Sequence, residues 1–176
     1  SPIANTPRYS PDGAWLAFSV MSDDGDADVW IRRMASPVER VAETGFQRLG
    51  EDCGWSAGVL AYGWAHMWQE TGASEYYDWL RSWVDGCQER VPVITHVNEL
   101  TLAYAAILVN AVEPRRPYQR LIDDGADFVM HRAPRTADGS LIHLNGMVWD
   151  DTLIVTLPFL VELARTSGDT QYRDEA

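Results

Sequence analysis

The feature that most narrows the folds open to this chain is an alternation repeated three times. A helix-length segment apolar on nearly every side is followed by a break, and a Tyr four residues past that break opens a segment apolar along one stripe. The marks are Gly72/Tyr76, Pro114/Tyr118 and Gly168/Tyr172, with Tyr–Tyr intervals of 42 and then 54 residues, the longer one absorbing a loop around His143. A helix apolar all round must be buried on both sides, whereas a striped helix faces a core with one side only. Alternation of the two at this period predicts a mainly α chain built as a helical array or toroid, with an inner and an outer ring of helices. A closed ring of six hairpins takes twelve helices, at about 12 residues each plus roughly 4–6 per connection. Residues 36–176 are too few for that, so about half a ring is expected.

Local signals place the elements. Ser36-Pro37 is an N-cap followed by Pro at the first helical position, for a helix ending near Gly45. Further helices are expected over about Ser56–Thr71, stopped by Gly72, from Ser74 onward, over Asn98–Ala111, Tyr118–Met130 and Asp151–Arg165, the last stopped by Gly168. Pro158 should kink that helix or be relieved by a neighbour. Tyr76, Trp79 and Trp83 form one stripe and read as core packing.

Residues 1–35 have a different texture and are assigned to a separate unit from the toroid domain, 36–176. A Pro11-Asp12-Gly13 turn precedes an alternating strand over Trp15–Val20, and a second turn over Ser22–Asp26 precedes a strand over Asp28–Arg32. This β-hairpin resembles one hairpin of a WD40-like propeller blade of the Tol type. The acidic run Asp23, Asp24, Asp26 and Asp28 lacks calcium-loop spacing and reads as a solvated turn.

Composition excludes several classes. The formal net charge of −12 argues against nucleic acid, which needs basic patches. No apolar run reaches the length of a membrane span. No signal peptide is readable, and the chain begins at Ser1 without a Met, which is compatible with a removed export signal; a soluble protein of the cytoplasm or periplasm is expected. Cys53 and Cys87 read as two unpaired core thiols. His66, His96, His131 and His143 have no paired ligand spacing, so no metal is expected. Neither a phosphate loop nor a nucleotide fingerprint is present, and no cofactor is expected. His131, Arg132 and Arg135 read as a solvated turn rather than a positive spot.

The chemistry-bearing stretch is Gly139–Ala176. A loop carrying His143, Asn145 and Trp149 leads into Asp150 and Asp151, either of which suits the N-cap of a long apolar helix. That puts an acid at the mouth of a helical cavity. Flat indole faces suit sugar rings, although most of the eight Trp simply pack.

GWSAGVLAYG, ETGASEYYDWLRSWVD and VWDDTLIVTLPFLVELARTSGDTQYRDEA resemble the unsaturated glucuronyl and rhamnogalacturonyl hydrolases of glycoside hydrolase families 88 and 105. The likeness runs from about Val38 to Ala176 and implies an (α/α)6 barrel working without a cofactor. It implies Asp151 as general acid/base, His143 and Trp149 lining the sugar pocket, and Trp55 as the aromatic ahead of the first inner helix. The family's second carboxylate falls in HVNEL. There either Asn98 is the match and a charge is missing, or Glu99 substitutes with its direction turned by about 100°. The implied partner is an unsaturated uronate oligosaccharide, and the implied reaction is hydration of the 4,5 double bond of a terminal unsaturated uronic acid. That step needs a carboxylic acid kept protonated beside the substrate. Two alternatives stay open: another carbohydrate enzyme on the same toroid, such as an epimerase, and an inactive or sugar-binding helical-repeat domain.

Overall fold

The computed structural model describes residues 52–176, Gly45, and the backbone of Arg8–Tyr9, Trp15–Met21 and Ala27–Arg33. The chain divides into two compact units, Ser1–Thr44 and Gly45–Ala176. In the first, β1 (Arg8–Tyr9), β2 (Trp15–Met21) and β3 (Ala27–Arg33) form an antiparallel sheet in that order. β2 and β3 pair from Trp15 opposite Arg33 to Met21 opposite Ala27, the strand pair that the alternation predicts. β1 is an additional strand that no periodicity announces. The two expected turns, the aspartates of the second one, and the expected helix 36–45 apart from the helical Gly45 lie outside the described residues.

The second unit is a sequence of helical hairpins. α1 (Trp55–Thr71) turns into α2 (Ser74–Cys87), α3 (Leu100–Val112) into α4 (Arg116–Asp127), and α5 (Asp151–Ser167) into α6 (Gln171–Glu175). A 3-10 turn, Val97–Glu99, leads into α3, and a π-helical turn, Phe128–Arg132, extends α4. α1 and α5 stop where the glycine rule puts the stop. Gly72 and Gly168 adopt φ of 68° and 75° and donate their N–H groups to Trp68 and Ala164. A side chain at either would be strained in that left-handed conformation. α5 stays helical through Pro158.

α3 is the hub. Every residue from Leu100 to Val109 is buried, as a helix apolar on all sides requires. It touches α1, α2, α4 and α5. α1 and α3 run parallel, because contacts advance along both together: Gly58 faces Thr101, and one turn on the Tyr62 and Tyr104 rings meet edge to face at 4.9 Å. Tyr62 also donates its hydroxyl to the Val155 carbonyl of α5 at 3.3 Å. Burial, with Tyr104 beside it, holds the Tyr62 phenol above its ordinary range. The outer helices lean in by one stripe: Tyr76, Leu80, Trp83 and Val84 on α2, and Tyr118, Leu121, Ile122 and Gly125 on α4. Tyr76 and Trp83 are fully buried and Trp79 stands edge-on to Tyr76 at 5.4 Å, so the aromatic stripe is core. Tyr118 reaches past the core to donate to Asp85 at 2.6 Å.

Two expectations fail or narrow here. Cys53 and Cys87 are joined in a disulfide, not free thiols, with Cα atoms 5.6 Å apart. The tight turn at Gly72 folds α2 back on α1, so Cys53, two residues ahead of α1, meets the last residue of α2, a proximity invisible across 34 residues of sequence. The Trp83 indole fixes the same corner by donating to the Asp52 carbonyl at 2.6 Å. The solvated turn expected at Arg132 and Arg135 is a tied one, and it leaves no free positive spot. Arg132 pairs with Asp124 and Asp127, each at 2.6 Å, and donates to the Ile94 carbonyl. The Asp124 carboxylate in turn accepts from the Ile94 N–H. The strap between α2 and α3 is thereby tied to the end of α4.

Close approach makes two glycines indispensable. A Cβ at Gly58 would stand 2.1 Å from Thr101 Oγ1, and one at Gly125 would stand 2.8 Å from Ala103 Cβ and 3.0 Å from Phe159 Cζ. Gly58→Ala should therefore destabilise the protein by about 2 kcal/mol or more. Gly63→Ala, where a Cβ meets nothing within 4 Å, should stabilise it by up to about 1 kcal/mol. Urea midpoints of the two variants check this. Reduction of Cys53–Cys87 should lower stability by roughly 3–4 kcal/mol, the loop-closure term for a crosslink of this span, read from the same midpoints with and without reductant.

Candidate active site

The segment before α5 is ordered by two turns and an arginine. Around the first, Thr136 donates its N–H to the Ser140 carbonyl at 2.9 Å. The Thr136 hydroxyl and the Ser140 N–H both donate to Asp138 and hold its carboxyl below the usual range. Arg135 donates to the carbonyls of Gly139 and Val129 and pairs with Glu175 at 2.6 Å. The second turn spans Leu144–Met147, with Asn145 at φ 53° and Gly146 at φ 78°. Two successive positive φ values define the hairpin turn that Asn-Gly favours. His143 sits at its base and donates its N–H to the Met147 carbonyl at 2.8 Å.

That turn aims the His143 ring inward. The ring is 6% exposed, lies flat on Trp149 at 4.7 Å and 10°, and meets the edge of His96 at 5.2 Å. Its Nδ1 is 2.9 Å from Thr152 Oγ1 and 3.4 Å from Asp151 Oδ1. Asp150 is the N-cap of α5, its Oδ1 accepting from the Asp151 N–H at 3.0 Å. Asp151, the first helical residue, is thereby left free of capping, with its side chain 29% exposed. Its Oδ1 is buried without a hydrogen bond. Arg135, on the same loop, keeps its charge on Glu175 and on backbone carbonyls.

The two polar residues of the HVNEL segment differ in their hydrogen bonding. Glu99 caps: its Oε2 accepts from the N–H groups of Thr95 at 2.6 Å and His96 at 3.1 Å. The His96 Nδ1 returns the favour to the Asn98 N–H at 3.1 Å, completing a capping box. Asn98 is not consumed in this way, and its Oδ1 is buried without a hydrogen bond. The 3-10 turn carrying it packs on both α1 and α5. Trp55 opens α1, 44% exposed. Among the described residues no ring contact brings it against His143, Trp149 or Asp151. His96 is the residue that sequence reading missed. It looks like a lone histidine, and only the strap between α2 and α3 brings it to His143.

A groove of about 340 Å³ opens beside Trp149, bounded by Asp150, Thr152, Leu153 and Leu157. Neither Asp151 nor His143 lines it, so the acid lies next to this concavity rather than at its mouth. Among the described residues no group of three or more His, Cys, Asp and Glu could hold a metal, and no helix is long and apolar enough to cross a membrane. What the cluster offers chemically is a carboxyl group for proton transfer, an imidazole beside it, and an indole face on which a sugar ring can lie.

An arc of helical hairpins, with a carboxyl, an imidazole and an indole gathered where an inner helix begins, defines a protein of the α/α-toroid class. The chain belongs to Glycosyl Hydrolase Family 88, whose family model matches residues 30–176. It is 25% identical over 152 residues to the unsaturated rhamnogalacturonyl hydrolase YesR of Bacillus subtilis (strain 168), covering 81% of this chain and 44% of that protein. Two crystal structures titled as possible members of the GH105 family have the same fold. The one from Klebsiella pneumoniae matches with a TM-score of 0.63 at 22% identity, over 89% of this chain and 38% of that one. The one from Salmonella enterica serovar Paratyphi A matches with a TM-score of 0.65 at 20% identity, over 89% and 39%. The chain thus spans less than half the length of these relatives. The family match starts at residue 30, within β3, and nothing in these relatives supports the propeller likeness of the β2–β3 hairpin.

The division of labour in HVNEL is testable. Glu99→Ala should cost about 1–2 kcal/mol, since two strap N–H groups lose their acceptor. Asn98→Ala should leave stability within about 0.5 kcal/mol, since its Oδ1 has no partner to lose. Thermal melts of both variants decide.

Proposed function

We propose that this chain carries the proton-donating side of a hydrolase that removes a terminal 4,5-unsaturated uronic acid from oligosaccharides produced by a lyase. The observation that carries the reading is the Asp151–His143–Trp149 cluster: a partly buried carboxyl, free of capping duty, beside an imidazole stacked on an indole. The family membership and the name of the Bacillus relative support the same substrate class.

In this reading Asp151 delivers a proton to the double bond of the uronic acid, and water adds to the neighbouring carbon. Asp151, as the carboxylate left behind, takes a proton from that water, so the acid is regenerated and the net change is addition of one water. The hydrated ring then opens and releases the rest of the oligosaccharide. Trp149 offers the sugar a flat apolar face, and His143 stands beside the acid as a polar contact for the same sugar. Asn98, with its buried and unpartnered Oδ1, is the polar group of the second inner helix available to a sugar hydroxyl. The capping bonds of Glu99 support Asn98 over Glu99 in that role. Trp55 is kept as an outer substrate contact at the start of α1. The toroid domain, 36–176, is the catalytic portion, and the strands before it form a separate unit. The Cys53–Cys87 disulfide favours the periplasm over the cytoplasm, because cytosolic thiols are kept reduced.

A protein carrying this chain should bleach the ultraviolet absorbance of an unsaturated uronyl disaccharide. Asp151→Asn should slow that loss by at least about 100-fold, the usual contribution of a general acid, with melting unchanged within a few degrees. Turnover at the wild-type rate in the variant refutes the role of Asp151. A substrate left intact by the wild-type protein, with a saturated uronide cleaved instead, refutes the substrate class.

A further inference from the structure

Thr152 is buried to 3% exposure, yet its hydroxyl is not used for the helix it stands in. The other buried threonines of the inner helices bond to their own backbone: Thr156 donates to the Thr152 carbonyl at 2.7 Å, and Thr101 to the Asn98 carbonyl at 2.8 Å. The Thr152 hydroxyl instead faces His143 Nδ1 at 2.9 Å. The same nitrogen faces Asp151 Oδ1 at 3.4 Å, a buried oxygen with no hydrogen bond of its own. Two groups therefore compete for one ring nitrogen. If Nδ1 carries the hydrogen, Asp151 gains a donor. If Thr152 donates, Nδ1 is an acceptor and the imidazole hydrogen must sit on Nε2.

We propose that Thr152 is a positioning residue that fixes His143 as the neutral Nε2–H tautomer, so that His143 presents a hydrogen-bond donor, not an acceptor, to the substrate. Distance decides for Thr152: 2.9 Å is a full hydrogen bond, whereas 3.4 Å is at the edge of one. Chemistry agrees, because a buried hydroxyl hydrogen left without an acceptor is costly and Nδ1 is the acceptor within reach. Stacking on Trp149 at 10° holds the ring plane, and the edge contact with His96 blocks a swing out of it. The fixed Nε2–H suits the oxygens of a sugar hydroxyl or carboxylate. The role in substrate binding rests on the function proposed above; the tautomer does not.

The test is nitrogen NMR on protein labelled in its histidines, at about pH 8, with His143 assigned by loss of its signals in His143→Gln. The wild-type spectrum should have Nδ1 bare and Nε2 protonated. In Thr152→Val the Asp151 oxygen is the remaining partner of Nδ1, so the hydrogen should move to Nδ1; Thr152→Ser should restore the wild-type pattern. A wild-type His143 with Nδ1 protonated, or with both nitrogens protonated, overturns the proposal without any variant, and so does an unchanged tautomer in Thr152→Val. In the turnover assay Thr152→Val should raise KM about tenfold with kcat changed less than about threefold, and Ser should rescue it. The expected tautomer in a protein that leaves unsaturated uronides intact sinks the function and leaves the positioning role. Turnover with the opposite tautomer does the reverse.

Discussion

Burial of α3 on all sides is the constraint from which the rest of the toroidal unit follows. Ten consecutive buried residues, Leu100–Val109, leave no face for water. Each neighbouring helix must therefore bring an apolar stripe to it, and each must come close. Small residues set how close: Gly58 lets α1 reach Thr101, and Gly125 lets α4 nest between Ala103 and Phe159. The hydrophobic term supplies the drive, roughly 1.5–3 kcal/mol for each large side chain taken from water. The glycines supply the geometry, since at these spacings a single methyl would force whole helices apart.

The site is a by-product of how the inner helices begin. Asp150 caps α5, which frees Asp151; Glu99 caps the turn into α3, which frees Asn98. In both places one acidic side chain satisfies backbone N–H groups while its neighbour keeps a buried oxygen without a hydrogen bond. The Asn145-Gly146 turn then swings His143 back onto the helix start, and Arg135 anchors the first part of the same loop to the end of α4 and to α6. Backbone order there comes from hydrogen bonds rather than from apolar burial, since Leu144, Met147 and Val148 are all exposed.

Legibility in the sequence varied with the range of the interaction. Helix positions, the glycine stops and the aromatic stripe of α2 rest on spacings of three and four residues, so local pattern was enough. The strand pair β2–β3 was legible for the same reason, through its two-residue alternation. The Asn-Gly turn is encoded just as locally, since that dipeptide carries its own backbone preference. The reading of Cys53 and Cys87 as free thiols failed because both lie beside apolar helical faces, and spacing along the chain says nothing about which helix ends meet. The roles of Arg132, Arg135 and His96 were hidden similarly: their partners Ile94, Glu175 and His143 are 38, 40 and 47 residues away.

By itself the sequence determined a mainly helical chain with alternating buried and striped helices, half a ring in extent, and an acid at the entry of its last long helix. Periodicity carries that information, because burial of one face is a property of each segment alone. Tertiary structure decided which acid caps and which is free, that Glu99 bonds to the backbone while the Asn98 amide oxygen does not, and that Thr152 rather than Asp151 makes the closer contact with His143. Those choices turn on differences of a few tenths of an ångström between groups brought together from separate turns and loops, and no pattern along a chain encodes distances that small.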